Sequence, residues 1–272
     1  MKTYVITGAT SGIGRALLDE FSKENRVFAG YRNSRYEKEL SEIENVIPFF
    51  IDMEKPYTIT GAADVIRQNT DKIDTLINAA GCVMAGPVEN MQISKIRRQF
   101  EVNTFSHLDF SQNLLPLLEG GKIINISSMA SFGIFPFVAP YCASKRALDI
   151  LFNSLEVEMQ GRIKVVSVKP GVIATPLWGK SVEINKDCIE GDKSYQKEME
   201  LLASNALKNE KKGLPVSQVV RLITRIDALK NPKSSYTVGK DAMFAELVAK
   251  LPSSTINRLM KFGLTQKLKS CK

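Results

Sequence analysis

Short apolar runs rich in β-branched and aromatic residues alternate along the chain with longer stretches whose apolar positions recur every three to four residues. The first pattern suits buried strands and the second amphipathic helices, and their alternation predicts βαβ units on a parallel sheet. Strands are expected at Thr3–Thr7, Arg26–Gly30, Val46–Ile51, Thr75–Ile77, Lys122–Ser127, Ile163–Val168 and Tyr236–Val238, with Pro170-Gly171 stopping the sixth. Helices are expected at about 13–23, 34–44, 57–70, 93–118 and 140–160, and again over 215–229, where Pro215 opens the first turn. The alternation breaks at 174–213, which holds Pro176, Trp178 and many charged positions of mixed period. This stretch is read as an insertion over a site, a substrate lid. Helical spacing returns over about 241–269 with a break at Pro252, as a C-terminal extension. No linker, repeat or low-complexity tract divides residues 1–272, so one α/β domain is expected.

Two motifs bring chemistry into this frame. Gly8, Gly12 and Gly14 follow the first strand and open the first helix. Such a turn lets backbone approach a pyrophosphate, and the free N–H groups of the helix N-terminus face the anion. The spacing is Gly-x-x-x-Gly-x-Gly, unlike the Gly-x-Gly-x-x-Gly of ordinary dinucleotide domains. Tyr141 and Lys145 lie four apart, hence on one helical face, and Ser128 lies thirteen residues upstream of Tyr141. An ammonium beside a phenol favours phenolate, so Lys145 is expected to lower the Tyr141 pKa and make it a proton donor or acceptor near neutral pH. A proton-transfer tyrosine with a dinucleotide turn points to hydride chemistry on a carbonyl or alcohol. The end of the second strand reads Gly30-Tyr31-Arg32-Asn33, with no acid to accept a ribose hydroxyl. Arg32 can instead pair with a 2′-phosphate, with Arg15 a weaker candidate, so NADP(H) is expected over NAD(H).

Taken together, these residues resemble the short-chain dehydrogenase/reductase family over roughly 3–240. The resemblance is carried by Thr7-Gly8-x-x-x-Gly12-Ile13-Gly14, Asn78-Ala79-Ala80-Gly81, Asn103, Ser128, Tyr141-x-x-x-Lys145, and Pro170-Gly171 followed by Thr175. It implies a Rossmann-like, doubly wound seven-stranded parallel sheet with helices on both faces. It further implies that Gly8, Thr10, Ser11, Gly12, Ile13 and Gly14 hold the cofactor, with Arg32, Asp52 at the adenine, Asn78, Ala79 and Gly81. Pro170, Gly171, Val172 and Thr175 complete that set, Thr175 meeting the carboxamide or pyrophosphate. By the family pattern, Tyr141 protonates the carbonyl oxygen, Ser128 positions it, Lys145 also holds the nicotinamide ribose, and Asn103 holds a relay water. Ser127 competes with Ser128, which is preferred because the thirteen-residue gap matches the family.

Met129, Phe132, Ile134, Phe135, Phe137 and Val138, with Leu177 and Trp178 at the start of the lid, suggest an apolar substrate side. Phe135 and Trp178 join Ser128 and Tyr141 as substrate contacts. The tail from Tyr236 to Met260 resembles the hydroxysteroid, retinol dehydrogenase and acyl-dihydroxyacetone-phosphate reductase branch, so a hydrophobic, lipid-like ketone is expected. A 3-oxoacyl thioester reductase and an NADP(H)-binding redox sensor are the competing readings.

Charge adds one feature. The net charge is +8, but residues 205–272 carry 14 Lys+Arg against 4 Asp+Glu. That tail could touch an anionic membrane; no aromatic-interleaved basic strand or helix-turn-helix suggests nucleic acid. Cys82, Cys142, Cys188 and Cys271 lack metal-ligand spacing and read as reduced thiols. The lone His107 reads as a helix-face residue, and no metal is expected. With no signal-peptide pattern at its start, the chain is expected in the cytoplasm, as a homodimer or homotetramer built through the helices at 93–118 and 140–160.

Overall fold

The computed structural model describes residues 1–191 and 193–270. Seven parallel strands form one sheet: β1 (Thr3–Ile6), β2 (Arg26–Tyr31), β3 (Val46–Phe50), β4 (Thr75–Asn78), β5 (Lys122–Ile126), β6 (Lys164–Pro170) and β7 (Ser235–Val238). Their order is β3-β2-β1-β4-β5-β6-β7. The helices are α1 (Gly12–Phe21), α2 (Arg35–Ser41), α3 (Tyr57–Arg67), α4 (Ile93–Phe100), α5 (Ser106–Leu114), α6 (Ala139–Glu158), α7 (Leu177–Ile184), α8 (Lys186–Gly191), α9 (Gln196–Lys212), α10 (Ser217–Ala228), α11 (Lys240–Val248) and α12 (Ser253–Ser270).

Successive strand residues point to opposite faces, so a sheet covered on both sides needs unbroken apolar runs. Ile6, Ile77, Ile124 and Val166 point to one face, where Leu17, Leu18 and Phe21 of α1 and Val219, Ile223 and Ile226 of α10 cover them. Val5, Leu76, Ile123 and Val165 point to the other, under Ile59 and Ile66 of α3, Phe110 of α5 and Phe152 of α6. The strand order reverses direction between β1 and β4, which opens a crevice at the carboxyl ends of these strands. Two buried asparagines latch the sheet beside it: Asn78 Nδ2 donates to Asn125 Oδ1 at 2.9 Å across β4 and β5.

Three stretches depart from the sequence pattern. The expected helix at 93–118 is broken by a π-helical turn at Glu101–Phe105, between α4 and α5, and closes in a 3-10 turn at Leu115–Leu117. The strand β6 includes Pro170 as its last residue, and it is Gly171 whose N–H reaches Val238 O at 2.8 Å. The lid is regular, made of α7, α8, a 3-10 turn at Lys193–Tyr195 and α9. Its helices pack on one another, burying Met199 and Ala206, and so do not show the periodicity of a helix laid on the sheet. The chain leaves for and returns from the lid through a narrow neck: Ala174 N donates to Leu214 O, and Leu214 N to Val172 O, both at 2.9 Å. Pro252 separates α11 from α12, as expected.

Candidate active site

The glycine turn lies at the carboxyl end of β1 and needs its glycines. Gly8 has φ of 67°, and a Cβ there would lie 2.9 Å from the Ala80 backbone. A Cβ on Gly14 would collide with the Gly8 carbonyl, so the start of α1 could not approach β1. Thr7 Oγ1 ties the turn to the β4 loop by accepting from Ala79 N at 3.0 Å and Ala80 N at 3.2 Å. The Ser11 side chain makes no capping bond, leaving the first-turn N–H groups of α1 without a side-chain acceptor. Lys180 of α7 reaches over the same place, its Nζ donating to Ser11 Oγ at 3.0 Å. Thr175 Cβ lies 3.4 Å from where a Gly12 Cβ would be. Backbone donors, a helix N-terminus and a lysine thus meet at one concave anion cradle, which fits the pyrophosphate of a dinucleotide.

Around this cradle the expected cofactor residues take distinct positions. Thr10 and Ile13 lie within the turn and first helical residues. Asp52 is buried after β3, its Oδ1 accepting from Glu54 N at 3.1 Å. Arg32 is exposed at the end of β2 and pairs with Glu54 at 3.0 Å. Glu54 also accepts from Arg98 at 2.6 Å. Arg15 pairs with Asp19 and Glu39. Val172 has both backbone groups engaged within the fold, its N–H on Asp241 Oδ2 at 2.7 Å and its carbonyl on Leu214.

The residues expected to handle protons come from three elements. Ser128 follows β5 and caps the 3-10 turn Met129–Phe132, its Oγ accepting from Ala130 N at 3.1 Å. Ser128 also acts on the Tyr141 phenol, opposing the rise of its pKa. Ser127, the competing serine, is buried and its hydroxyl has no protein partner among the described residues. Lys145, one turn beyond Tyr141, is buried and donates from Nζ to Ile126 O at 2.7 Å. Asn103 sits in the π turn, where its Oδ1 accepts from Cys82 N at 3.0 Å and its Nδ2 donates to Cys82 O and Ser144 Oγ. A Cβ on Gly81 would lie 3.4 Å from Asn103 Oδ1 and 3.7 Å from Lys145 Nζ, so these groups share one spot.

The electrostatics reverse one expectation. Lys145 does not lower the Tyr141 pKa; burial pushes the phenol up to about 12, outweighing the opposing effect of Ser128. Burial acts on Lys145 itself, lowering it to about 8 against the weaker pull of Asp149. A phenol and an ammonium withdrawn from water each favour the neutral form, and burial is the largest cause of both shifts. His107 is not a surface helix residue. It is fully buried on α5, lowered to about 3 by burial, with Nε2 2.9 Å from Ala80 O, and it fixes the loop after β4. Cys82, Cys142 and Cys188 are free thiols, the first raised to about 11 by burial, while Cys271 lies outside the described residues.

The apolar residues expected on the substrate side divide. Phe132 and Ile134 line a cavity of about 420 Å³ with Cys142, Ala143, Arg146 and Ala249, a face of α6 adjacent to the one carrying Tyr141 and Lys145. Phe137, at φ of 66°, packs edge-on against Tyr195 of the lid at 5.7 Å between centroids. Phe135 lies in the same loop, and Trp178 anchors α7 by donating its indole N–H to Ile173 O at 2.7 Å.

Several supporting residues were not singled out from sequence. Asn185 pins the lid, donating to Val83 O and accepting from Ala85 N, both at 2.8 Å. Lys95 clasps it from α4 through Asp187. Lys169 and Asp149 form a buried pair at 3.1 Å, with Lys169 also 4.5 Å over the Phe132 ring, which braces the catalytic loop from behind. Their signals are single polar residues whose partners are distant in sequence.

A family model described as short chain dehydrogenase matches residues 2–186. The chain belongs to that family and is an oxidoreductase. The NADPH-dependent 3-dehydrocapnine reductase of Ornithobacterium rhinotracheale is 30% identical over 273 residues, covering 95% of this chain and 96% of that protein. Among solved structures, a short chain dehydrogenase from Burkholderia cenocepacia in complex with NADP superimposes with a TM-score of 0.73 at 23% identity, covering 96% and 99% of the two chains. One from Burkholderia phymatum in complex with NAD gives 0.79 at 19% identity, covering 95% of each. Both share the Rossmann-like fold, and between them they hold either nicotinamide cofactor.

Proposed function

We propose that this chain reduces a ketone or aldehyde on a hydrophobic, lipid-like molecule with NADPH. The observation that carries the reading is the grouping of Ser128, at the carboxyl end of β5, with Tyr141 and buried Lys145, whose Nζ is fixed on Ile126 O. A phenol held near 12 keeps its proton at neutral pH, which suits it to give that proton to a carbonyl oxygen. Ser128 orients the oxygen and stabilises charge developing there. Lys145, lowered to about 8, exchanges its own proton more readily than a solvated lysine, and Asn103 holds the adjoining Gly81-Cys82 backbone in place. NADPH, when bound, would supply the hydride, which carries both electrons of the reduction. The glycine turn, the α1 N-terminus, Ser11, Lys180 and Thr175 would hold its pyrophosphate, Asp52 its adenine side, and Arg32 its 2′-phosphate.

The exposed position of Arg32 supports NADPH. Its bond to Glu54 is a surface ion pair of small net worth, which a doubly charged phosphate can displace. The name of the Ornithobacterium relative, which specifies NADPH and a reductase, agrees. The apolar loop 132–138 and Trp178 support a hydrophobic substrate over a small polar one.

The test is NADPH consumption with long-chain ketones, steroid ketones, retinal and acetoacetyl thioester, beside NADPH binding by fluorescence. Tyr141→Phe should abolish turnover while leaving NADPH affinity unchanged. Turnover confined to acetoacetyl thioester would replace the lipid-like substrate with a 3-oxoacyl thioester, and undiminished turnover in Tyr141→Phe would remove Tyr141 from its role.

A further inference from the structure

The C-terminal helices expose large apolar side chains to solvent. On α11, Met243, Phe244 and Leu247 share one face by their spacing, and Phe244 is 68% exposed. On α12, Leu259 and Phe262 also share a face, with Phe262 63% exposed, while Ile256 is its buried anchor. Isolated exposed leucines are ordinary on protein surfaces. Two exposed phenylalanines within twenty residues of each other, on successive helices with Met and Leu alongside, are less so.

Charge identifies what covers them. Lys240, Lys250, Arg258 and Lys261 are exposed on and between these helices, while the two acids of α11 are engaged within the fold, Asp241 by Val172 N and Glu246 by Thr237. A second copy would bring the same excess of positive charge face to face, whereas an anionic bilayer complements it and accepts aromatic side chains into its interfacial region. No described helix is long and apolar enough to cross a membrane, so attachment by side-chain insertion is the mode that fits. The surface is also continuous in chain with the substrate side: Ala249, at the end of α11, lines the same cavity as Phe132 and Ile134 of the loop between Ser128 and Tyr141.

We infer that α11 and α12 as far as Phe262 form a docking surface for anionic membrane, with Phe244 and Phe262 entering the interface and Lys250, Arg258 and Lys261 facing the headgroups. This inference stands apart from the reductase reading, because binding is measured without substrate or cofactor.

The experiment is sedimentation of the full chain with vesicles of phosphatidylcholine alone and of phosphatidylcholine with phosphatidylglycerol. The wild type should pellet with the anionic vesicles only, and less as salt rises. Phe244→Ser with Phe262→Ser should weaken partitioning about tenfold or more. Arg258→Gln with Lys261→Gln should weaken it about fivefold per charge removed. All four positions are exposed, and circular dichroism verifies that the variants stay folded. No pelleting of the wild type with anionic vesicles would overturn the inference. So would equal pelleting of the wild type and both double variants. A vesicle-indifferent dimer that Phe244→Ser with Phe262→Ser converts to monomer would assign the surface to a second copy instead.

Discussion

Replacing Lys145 with methionine should stabilise the ligand-free protein at pH 7 while abolishing turnover. Lys145 is 4% exposed, and burial lowers it from 10.5 to about 8. At pH 7 both the folded and unfolded states carry the charge, so the shift measures the cost of holding an ammonium inside: about 3 kcal/mol at 1.36 kcal/mol per pKa unit. Methionine has a similar length and no charge, but leaves Ile126 O without its donor, at a cost of about 1 kcal/mol. The net gain is about 2 kcal/mol. Its pH dependence is distinctive. Because the folded pKa lies below the unfolded one, the unfolded state binds more protons between about 8 and 10.5, and wild-type stability rises with pH over that window. The advantage of Lys145→Met should therefore be full below pH 8 and close to zero near pH 10. Urea unfolding of both proteins without cofactor, at pH 7 and pH 10, reads this directly. A variant less stable than wild type at pH 7, or a difference that does not change with pH, would show that the ammonium is compensated within the fold and that desolvation does not govern it.

Other changes separate cofactor choice, bracing and lid attachment. Arg32→Ala should weaken NADPH binding about tenfold or more and leave NADH binding unchanged, whereas Glu54→Gln, which frees Arg32 and Arg98, should tighten NADPH; fluorescence titration measures both. Asp149→Asn leaves the buried Lys169 ammonium without its counter-charge and should cost about 3 kcal/mol, seen as a lower urea midpoint. Asn185→Ala removes the side chain that satisfies Val83 O and Ala85 N, and limited proteolysis should then cut within 186–213 sooner than in wild type.

The sheet was legible because its strands are short, apolar and separated by turn residues, and because a fully covered sheet imposes no alternation that could be misread. The placement of the candidate site was legible where it is local: the glycine turn at the end of β1, and Tyr141 with Lys145 one turn apart on α6. Features made by distant partners were hidden. Nothing near Arg32 in sequence announces Glu54, which reaches it from the β3 loop and also accepts from Arg98 of α4. The π turn at Glu101–Phe105 was invisible because an extra residue in one helical turn leaves the surrounding apolar positions close to helical period. The direction of the Tyr141 shift was misjudged because proximity of Lys145 is a sequence property, whereas burial of both groups is a property of the assembled fold.

The neck of the lid has an evolutionary meaning. Residues 174–213 depart from Val172-Ile173-Ala174 and come back at Leu214 through the same few backbone bonds, while the chemical groups sit on β5, α5's approach and α6, outside that segment. The segment is thus a cassette on a fixed socket, except for its first turns, where Thr175 lies against Gly12 and Lys180 Nζ donates to Ser11 Oγ. An exchange that keeps α7 and replaces only residues 186–212 would leave those two contacts, and the socket, as they are.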